Sequence, residues 1–277
     1  MSKSAPPLAG VIGYPIGHSR SPKLHGYWLR RYGIRGAYVA MQVSEEDLGD
    51  VLRIMPRMGF VGCNVTLPYK VAVMEHADQI SDRAILIGAA NTLIFREDGS
   101  IYADNTDGYG FIENLRHGAP DWDPKAGPCA LLGAGGAARA IIVALADAGV
   151  PEILLSNRTR PKAEALKAEF GKRITVVDWV QAGNMLDDAA TLVNTTSLGM
   201  EGQPELRVPL DGLRPDTVVT DIVYQPLETE LLRKARQRGC RTVDGLGMLL
   251  YQAVPGFERW FGLRPEVDEA TRKAVLG

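Results

Sequence analysis

Ala130-Leu131-Leu132-Gly133-Ala134-Gly135-Gly136-Ala137-Ala138 decides how this chain is read: an apolar run, a glycine finger, then an alanine-rich amphipathic stretch. A strand that enters such a finger and leaves it as a helix is the pattern of a dinucleotide site. Gly133 permits the tight turn, Gly135 lets backbone approach a pyrophosphate, and the small Ala138 lets the new helix press on its strand. The pyrophosphate would rest on free amides at the helix start, in the run Ala134, Gly135, Gly136 and Ala137. The finger begins in mid-chain, so more than a hundred residues precede it. The substrate chemistry is expected there.

Working outward, short apolar runs alternate with helical patterns from end to end, which predicts an α/β fold with mainly parallel sheets. Upstream, strands are expected at Leu8 to Ile12, Ala37 to Gln42 and Gly62 to Val65, with helices over Pro22 to Tyr32 and Glu45 to Met58. Asn91 to Phe95 and Ile101 to Ala103 flank the turn-rich tip Arg96-Glu97-Asp98-Gly99-Ser100, a hairpin expected to close this sheet. A helix from Thr106 to Arg116 and a surface connection from Gly118 to Pro124 lead to the finger. Strands at Cys129 to Leu132, Glu152 to Ser156, Ile174 to Val177, Leu192 to Asn194 and Val218 to Ile222, with a helix over Ala137 to Ala148, make a Rossmann-type pattern. The strand-like Arg241 to Val243 and the helical Leu246 to Phe261 complete the chain. The expected fold is therefore an N-terminal α/β substrate domain (residues 1–107) plus a Rossmann-type dinucleotide-binding domain (108–245), with a cleft between them. A C-terminal helical segment (246–277) would return to the substrate domain.

Composition narrows the function classes. The chain has 277 residues, 45% of them hydrophobic, and a formal net charge of -2, so it offers no electrostatic footprint for nucleic acid or an anionic membrane. A small-molecule partner is expected, with the protein a monomer or homodimer. Cys63, Cys129 and Cys240 are too few and too scattered for a disulfide framework or a zinc site, so no metal is expected and a reducing compartment is implied. The opening Met1 to Pro7 lacks the apolar stretch of a signal peptide, and no later run approaches a membrane span. A cytoplasmic location is the expectation.

The cofactor is read from the strand after the finger helix. An NAD site usually ends that strand in Asp or Glu, which bonds the ribose hydroxyls. Here it ends Ser156-Asn157-Arg158-Thr159-Arg160, followed by Lys162. A 2′-phosphate would meet donors where NAD-selective enzymes place a repelling charge, and one charge-assisted contact is worth roughly 1.5–3 kcal/mol. NADP is favoured over the reading of a solvated basic loop.

Three upstream clusters carry more polar side chains than solubility requires. Gly17-His18-Ser19-Arg20-Ser21-Pro22 puts two hydroxyls at a helix start, where they cap the helix or bind a ligand. Asn64-Val65-Thr66-Leu67-Pro68-Tyr69-Lys70 supplies Asn64 and Thr66 from a strand end and presents Lys70 beyond a proline turn. Asn105-Thr106-Asp107-Gly108 opens a helix with a carboxylate. A polyhydroxylated substrate needs such partners, and hydride transfer between alcohol and ketone needs one group to exchange the hydroxyl proton. Lys70 with Asp107 would meet that need.

In this order the segments resemble shikimate dehydrogenase over nearly the whole chain. The resemblance is carried by the serine-rich turn, Asn64 to Lys70, Gly88-Ala89-Ala90-Asn91-Thr92, Asp104 to Gly108, the finger, Asn157-Arg158-Thr159 and Asp244-Gly245-Leu246-Gly247-Met248-Leu249. It implies NADPH-dependent, reversible reduction of 3-dehydroshikimate to shikimate, in chorismate and aromatic amino-acid biosynthesis. It also implies Lys70 as the proton-transfer residue with Asp107 as its partner. Ser19 and Ser21 would hold the substrate carboxylate, Thr66, Asn91 and Gln252 its ring hydroxyls, and Tyr224 matches the family's tyrosine near the cleft. Gly245 and Ile222 would line the nicotinamide pocket, Asp82 matches an acidic position on the cofactor side, and Asn194 to Met200, with Thr195, fits a cofactor-side loop. Ile222 stands where some members have methionine, and Asp82 also fits a helix cap. The alternatives are an NAD-using quinate/shikimate dehydrogenase, a non-catalytic relative that senses shikimate-like metabolites, and an unrelated NADP enzyme such as a folate or amino-acid dehydrogenase. The basic strand end speaks against the first, Lys70 with Asp107 against the second, and the serine and Asn91 clusters against the third.

Overall fold

A computed structural model describes residues 5–277; residues 1–4, part of the opening stretch read for a leader, lie outside the described residues. The chain forms two compact units, one of residues up to Asp107 together with Leu249–Gly277, the other of Gly108–Met248.

The first unit opens with β1 (Leu8–Gly13), α1 (Ser21–Arg31), β2 (Ala37–Gln42), α2 (Leu48–Ile54) and β3 (Phe60–Val65). Helix α1 starts with proline in its first turn and buries Ser21, Leu24, His25, Trp28 and Leu29, a single stripe at helical spacing. The long helix expected over Glu45 to Met58 is instead α2 followed by a 3-10 turn, Met55–Met58, stopped by Gly59 at φ +88°. Pro56 explains the break, because it has no N–H to continue the α ladder. Next come β4 (Gln79–Ile80), α3 (Asp82–Ile87), β5 (Thr92–Phe95) and β6 (Ile101–Asp104). The sheet order is β2-β1-β3-β5-β6-β4; β1 runs parallel to β2 and β3, whereas β5 is antiparallel to β3 and β6. The hairpin therefore forms but does not close the sheet, since β4 pairs beyond it, parallel to β6.

The second unit comprises α4 (Asp107–Gly118, with Asp107 at the unit boundary), β7 (Cys129–Leu132), α5 (Gly136–Ala148), β8 (Ile153–Ser156), α6 (Arg160–Phe170), β9 (Ile174–Val177), β10 (Thr191–Asn194), β11 (Val218–Asp221), α7 (Glu230–Gln237) and β12 (Arg241–Val243). Its six strands are all parallel, in the order β12-β11-β10-β7-β8-β9. This is the Rossmann order, and the finger leaves β7, where the strand order reverses. Helices cover both faces, so β7, β10 and β11 are buried end to end and read as continuous apolar runs rather than alternating ones.

The chain ends with α8 (Leu246–Phe261) and α9 (Glu269–Leu276). From Leu249 onward it belongs to the first unit, where Trp260 donates its Nε1–H to the Leu93 carbonyl at 3.0 Å. Gly62 makes room for this, since a Cβ there would lie 2.1 Å from the indole nitrogen. No described helix is long and apolar enough to cross a membrane, and among the described residues no cluster of three His, Cys, Asp or Glu side chains is placed to hold a metal. All three cysteines are buried and unpaired.

Candidate active site

Lys70 sits in the turn that follows β3, and Asp107 is the first residue of α4. Their side chains meet, Lys70 Nζ donating to Asp107 Oδ2 at 2.5 Å, with 14% and 6% of the two side chains exposed. The other carboxylate oxygen, Oδ1, accepts from Asn91 Nδ2 at 2.8 Å. Three backbone segments are tied to make this possible. The Lys70 carbonyl accepts from Ala90 N at 2.7 Å. Asn105 donates to the Ala89 carbonyl and accepts from Asp107 N, at 2.8 and 3.0 Å. The Asn91 stretch is delivered by α3, which Ser81 caps by accepting from Ala84 N and which ends at Gly88 with φ +69°. Such a cap is worth about 1 kcal/mol.

Asn91 is buried and fully engaged. Its amide also donates to Thr106 Oγ1 and Gln252 Oε1, at 3.1 and 3.2 Å, and its oxygen accepts from Thr106 N and Thr92 Oγ1, both at 2.9 Å. A substrate hydroxyl would have to share one of these bonds. Gln252, on α8, donates its Nε2 to the Leu249 carbonyl at 2.9 Å. Ser19 accepts from Ser21 N at 3.3 Å, and Ser21 is the buried first residue of α1. Arg20 between them reaches the Val275 and Leu276 carbonyls at 2.7 and 3.1 Å, fastening the serine turn to the end of α9. Thr66, directly after β3, donates its N–H to the Ile12 carbonyl at 2.9 Å, which leaves its hydroxyl for other partners. The first unit thus carries Ser19, Ser21, Asn64, Thr66, Lys70, Asn91, Asp107 and Gln252, whereas Tyr224 belongs to the second.

The candidate cofactor residues, apart from Asp82, lie in the second unit. Gly133 has φ +109°, and a Cβ there would fall 2.6 Å from Thr195 Oγ1. Gly135, by contrast, faces open space, and no side chain caps the start of α5, so its amides remain available to an anion. Asn157 Oδ1 accepts from Ala134 N at 3.2 Å and its amide donates to the Thr159 carbonyl at 2.8 Å, tying the finger to the end of β8. These features fit a pyrophosphate. Thr195 spends its hydroxyl on the Leu132 carbonyl at 2.8 Å, so it supports the turn from beneath. Gly245 lies against the Ile222 backbone, where a Cβ would be 2.4 Å from the Ile222 oxygen. Asp82 is exposed in the first turn of α3, placed to complement the helix dipole.

At the basic strand end, Arg160 is bonded to Asp178 and Glu164, at 2.5 and 2.8 Å. Its guanidinium is neutralised in place, so Arg158 and Lys162 are the cations at this end without an ion pair among the described residues. Asp178 lies one residue beyond β9, invisible from the local pattern. The sequence reading also passed over Asp221. This buried carboxylate accepts from Asn194 Nδ2, Val223 N and Thr229 Oγ1, at 3.0, 3.0 and 2.8 Å. Burial pushes its carboxyl up to about 6, against the pull of those three bonds. It cross-links the ends of β10 and β11 to the start of α7.

A paired lysine and carboxylate in a dense hydroxyl and amide network, together with a dinucleotide finger and a basic strand end, define the class. This is an NADP-dependent oxidoreductase acting on an alcohol. Comparisons with known proteins make the family specific. Residues 11–93 match the shikimate dehydrogenase substrate binding domain, 124–199 the shikimate / quinate 5-dehydrogenase family, and 245–276 the shikimate 5'-dehydrogenase C-terminal domain. The NADP(+) shikimate dehydrogenase of Cereibacter sphaeroides is 68% identical over 98% of this chain and 97% of its own, and that of a Ruegeria species 64% over the full length of both. The Thermus thermophilus shikimate 5-dehydrogenase, solved with NADP(H) and shikimate, superposes with a TM-score of 0.86 at 37% identity, covering 98% of this chain and 99% of that one. The chain belongs to the shikimate dehydrogenase family.

Proposed function

We propose that this protein reduces the 3-ketone of 3-dehydroshikimate to shikimate, reversibly and with NADPH, as a step of chorismate and aromatic amino-acid biosynthesis. The observation that carries the reading is the Lys70–Asp107 couple, held at 2.5 Å with the second carboxylate oxygen already fixed by Asn91. When bound, NADPH supplies the hydride to the ketone carbon. Lys70 delivers a proton to the ketone oxygen as negative charge develops there, and recovers it in the reverse direction. Asp107 aims the ammonium and balances its charge, so the donor is positioned before substrate arrives. Ser19 and Ser21 receive the substrate carboxylate, while Thr66, Asn91 and Gln252 meet the ring hydroxyls. Arg158, Lys162 and the finger amides hold the cofactor phosphates.

An NAD-dependent quinate reaction is the second reading, because the quinate dehydrogenase of Corynebacterium glutamicum in complex with NAD superposes with a TM-score of 0.91 at 32% identity. Arg158 with no carboxylate partner at the strand end weighs against it. Steady-state kinetics on shikimate and quinate with each cofactor decides: absence of turnover with shikimate and NADP rejects the assignment. Lys70→Ala is expected to lower kcat by about two to four powers of ten with a smaller effect on KM. Near-normal turnover would remove Lys70 from the mechanism. We place the reaction in the cytoplasm, which the three unpaired cysteines support. The protein acts as a monomer or homodimer, a point for sedimentation analysis.

A further inference from the structure

We propose that Tyr38, an apolar-strand residue with no place in the motifs, is a positioning residue of this reaction: its phenol locks the Asn64 amide and, through it, the Asn91–Asp107–Lys70 chain. The proposal rests on the assignment of Asn64 and Lys70 to the substrate side.

Tyr38 lies on β2 and is buried, and its hydroxyl donates to Asn64 Oδ1 at 2.7 Å. An asparagine amide has two nearly isosteric orientations, and its partners choose between them. Here the phenol donates, so the oxygen end must face it. The amide end then donates to the Asn91 carbonyl at 3.1 Å and to Thr92 Oγ1 at 3.2 Å. A flip would set the NH2 group against the phenol donor and the oxygen against the Asn91 carbonyl. Downstream, every bond runs in the same sense. Thr92 Oγ1 donates to Asn91 Oδ1 at 2.9 Å, and Asn91 Nδ2 donates to Asp107 Oδ1 at 2.8 Å. The donors therefore all point toward the carboxylate that Lys70 approaches from its other side. Bonds aligned in one direction polarise one another, and this chain ends where the negative charge sits.

The ring is held as firmly as the hydroxyl. His25 stacks on it with ring centroids 3.8 Å apart and planes 2° from parallel, and Trp28 meets His25 edge-on at 5.7 Å. Trp260 closes the other approach at 6.1 Å. His25 is uncharged in this setting, because burial lowers its pKa to about 3.

Tyr38→Phe keeps the stacked ring and removes one oxygen, so that Asn64 Oδ1 loses the donor that holds it. It is compared with Asn64→Ala and the double variant, with turnover counted per NADP-binding molecule so that lost folded protein does not mimic lost positioning. Tyr38→Phe is expected to lower kcat/KM for shikimate about tenfold, the size of effect when a buried acceptor loses its donor, while KM for NADP stays within about twofold. In the Asn64→Ala background the same change is expected to cost less than about twofold, because the residue it acts through is gone. Equal losses in both backgrounds, or wild-type kcat/KM in Tyr38→Phe, would overturn the proposal while leaving the site intact. Full activity in Asn64→Ala would overturn both the proposal and the placement of Asn64.

Discussion

Asp107→Asn tests the central couple with the smallest possible change. Both carboxylate oxygens are in use, Oδ2 with Lys70 at 2.5 Å and Oδ1 with Asn91 at 2.8 Å, and both partners are donors. An asparagine has one acceptor end. Asn91 cannot turn over to accept, because its oxygen already receives Thr106 N and Thr92 Oγ1 at 2.9 Å each. The new oxygen therefore stays with Asn91, and the new NH2 group faces the Lys70 ammonium, donor against donor. Losing one charge-assisted bond costs roughly 1.5–3 kcal/mol, and leaving a buried charge unpaired costs about 3–5 kcal/mol. Lys70 keeps 14% of its side chain exposed and is partly relieved by solvent, which places the loss near the lower end, about 3 kcal/mol. As misplacement of the proposed proton donor, that corresponds to a kcat lower by about two powers of ten. The assay is NADPH oxidation with 3-dehydroshikimate at saturating cofactor, alongside NADP binding to establish that the second unit is unchanged. A kcat within about threefold of wild type would refute the reasoning.

Arg158→Ala is expected to raise KM for NADP by about tenfold to a hundredfold and leave NAD unaffected, whereas Arg160→Ala, already paired with Asp178 and Glu164, should change it by no more than about threefold. Equal effects of the two would reject the division of labour. Gly135→Ala points into open space and should leave the thermal midpoint unchanged while weakening NADP binding; Gly133→Ala, at φ +109° and 2.6 Å from Thr195 Oγ1, should lower both. Calorimetry with and without NADP separates these outcomes. Asp221 sets a pH dependence: with a folded value of about 6 against 3.8 unfolded, its contribution is fully present below about pH 4 and lost as pH rises through about 6, in all about 3 kcal/mol. His25 contributes with the opposite sign, present above 6.5 and lost as pH falls toward about 3, so the Asp221 component is read as the difference between wild type and Asp221→Asn. A difference that stays constant across that window would contradict it.

What the chain discloses on its surface is uneven for physical reasons. The finger was legible because Gly133 answers a local demand, a positive φ, that few other residues meet, while Gly135 leaves the backbone open to a ligand. Buried parallel strands such as β7 and β10 were legible as short apolar runs. Helix α3 was not: it has six residues, and Ile85 and Leu86 are exposed, which spoils any apolar stripe. Strand β4 is two residues long and exists through its pairing with β6. In the site, the lysine and carboxylate could be named from motif and resemblance. Their supports could not, because Asn64 with Tyr38 and Thr106 with Gln252 are contacts between distant segments.

The polar network also bears on why the site should favour a hydroxyl-rich ring. Asn91, Thr92, Asn105, Thr106 and Asp107 are all buried, yet each has its partner before any ligand arrives. Binding therefore need not organise them, and little affinity is lost to ordering. Groups held this way act at full strength on a charge that develops beside them, because they need not reorient during the reaction. The cost falls on wrong ligands. A ring lacking a hydroxyl at the matching position would cover the Thr66 hydroxyl without pairing it, and a buried polar group left unpaired costs about 1–3 kcal/mol. Discrimination between polyhydroxylated rings then follows from rigidity: a network that cannot rearrange to rescue an unmatched group rejects the ligand that leaves it unmatched.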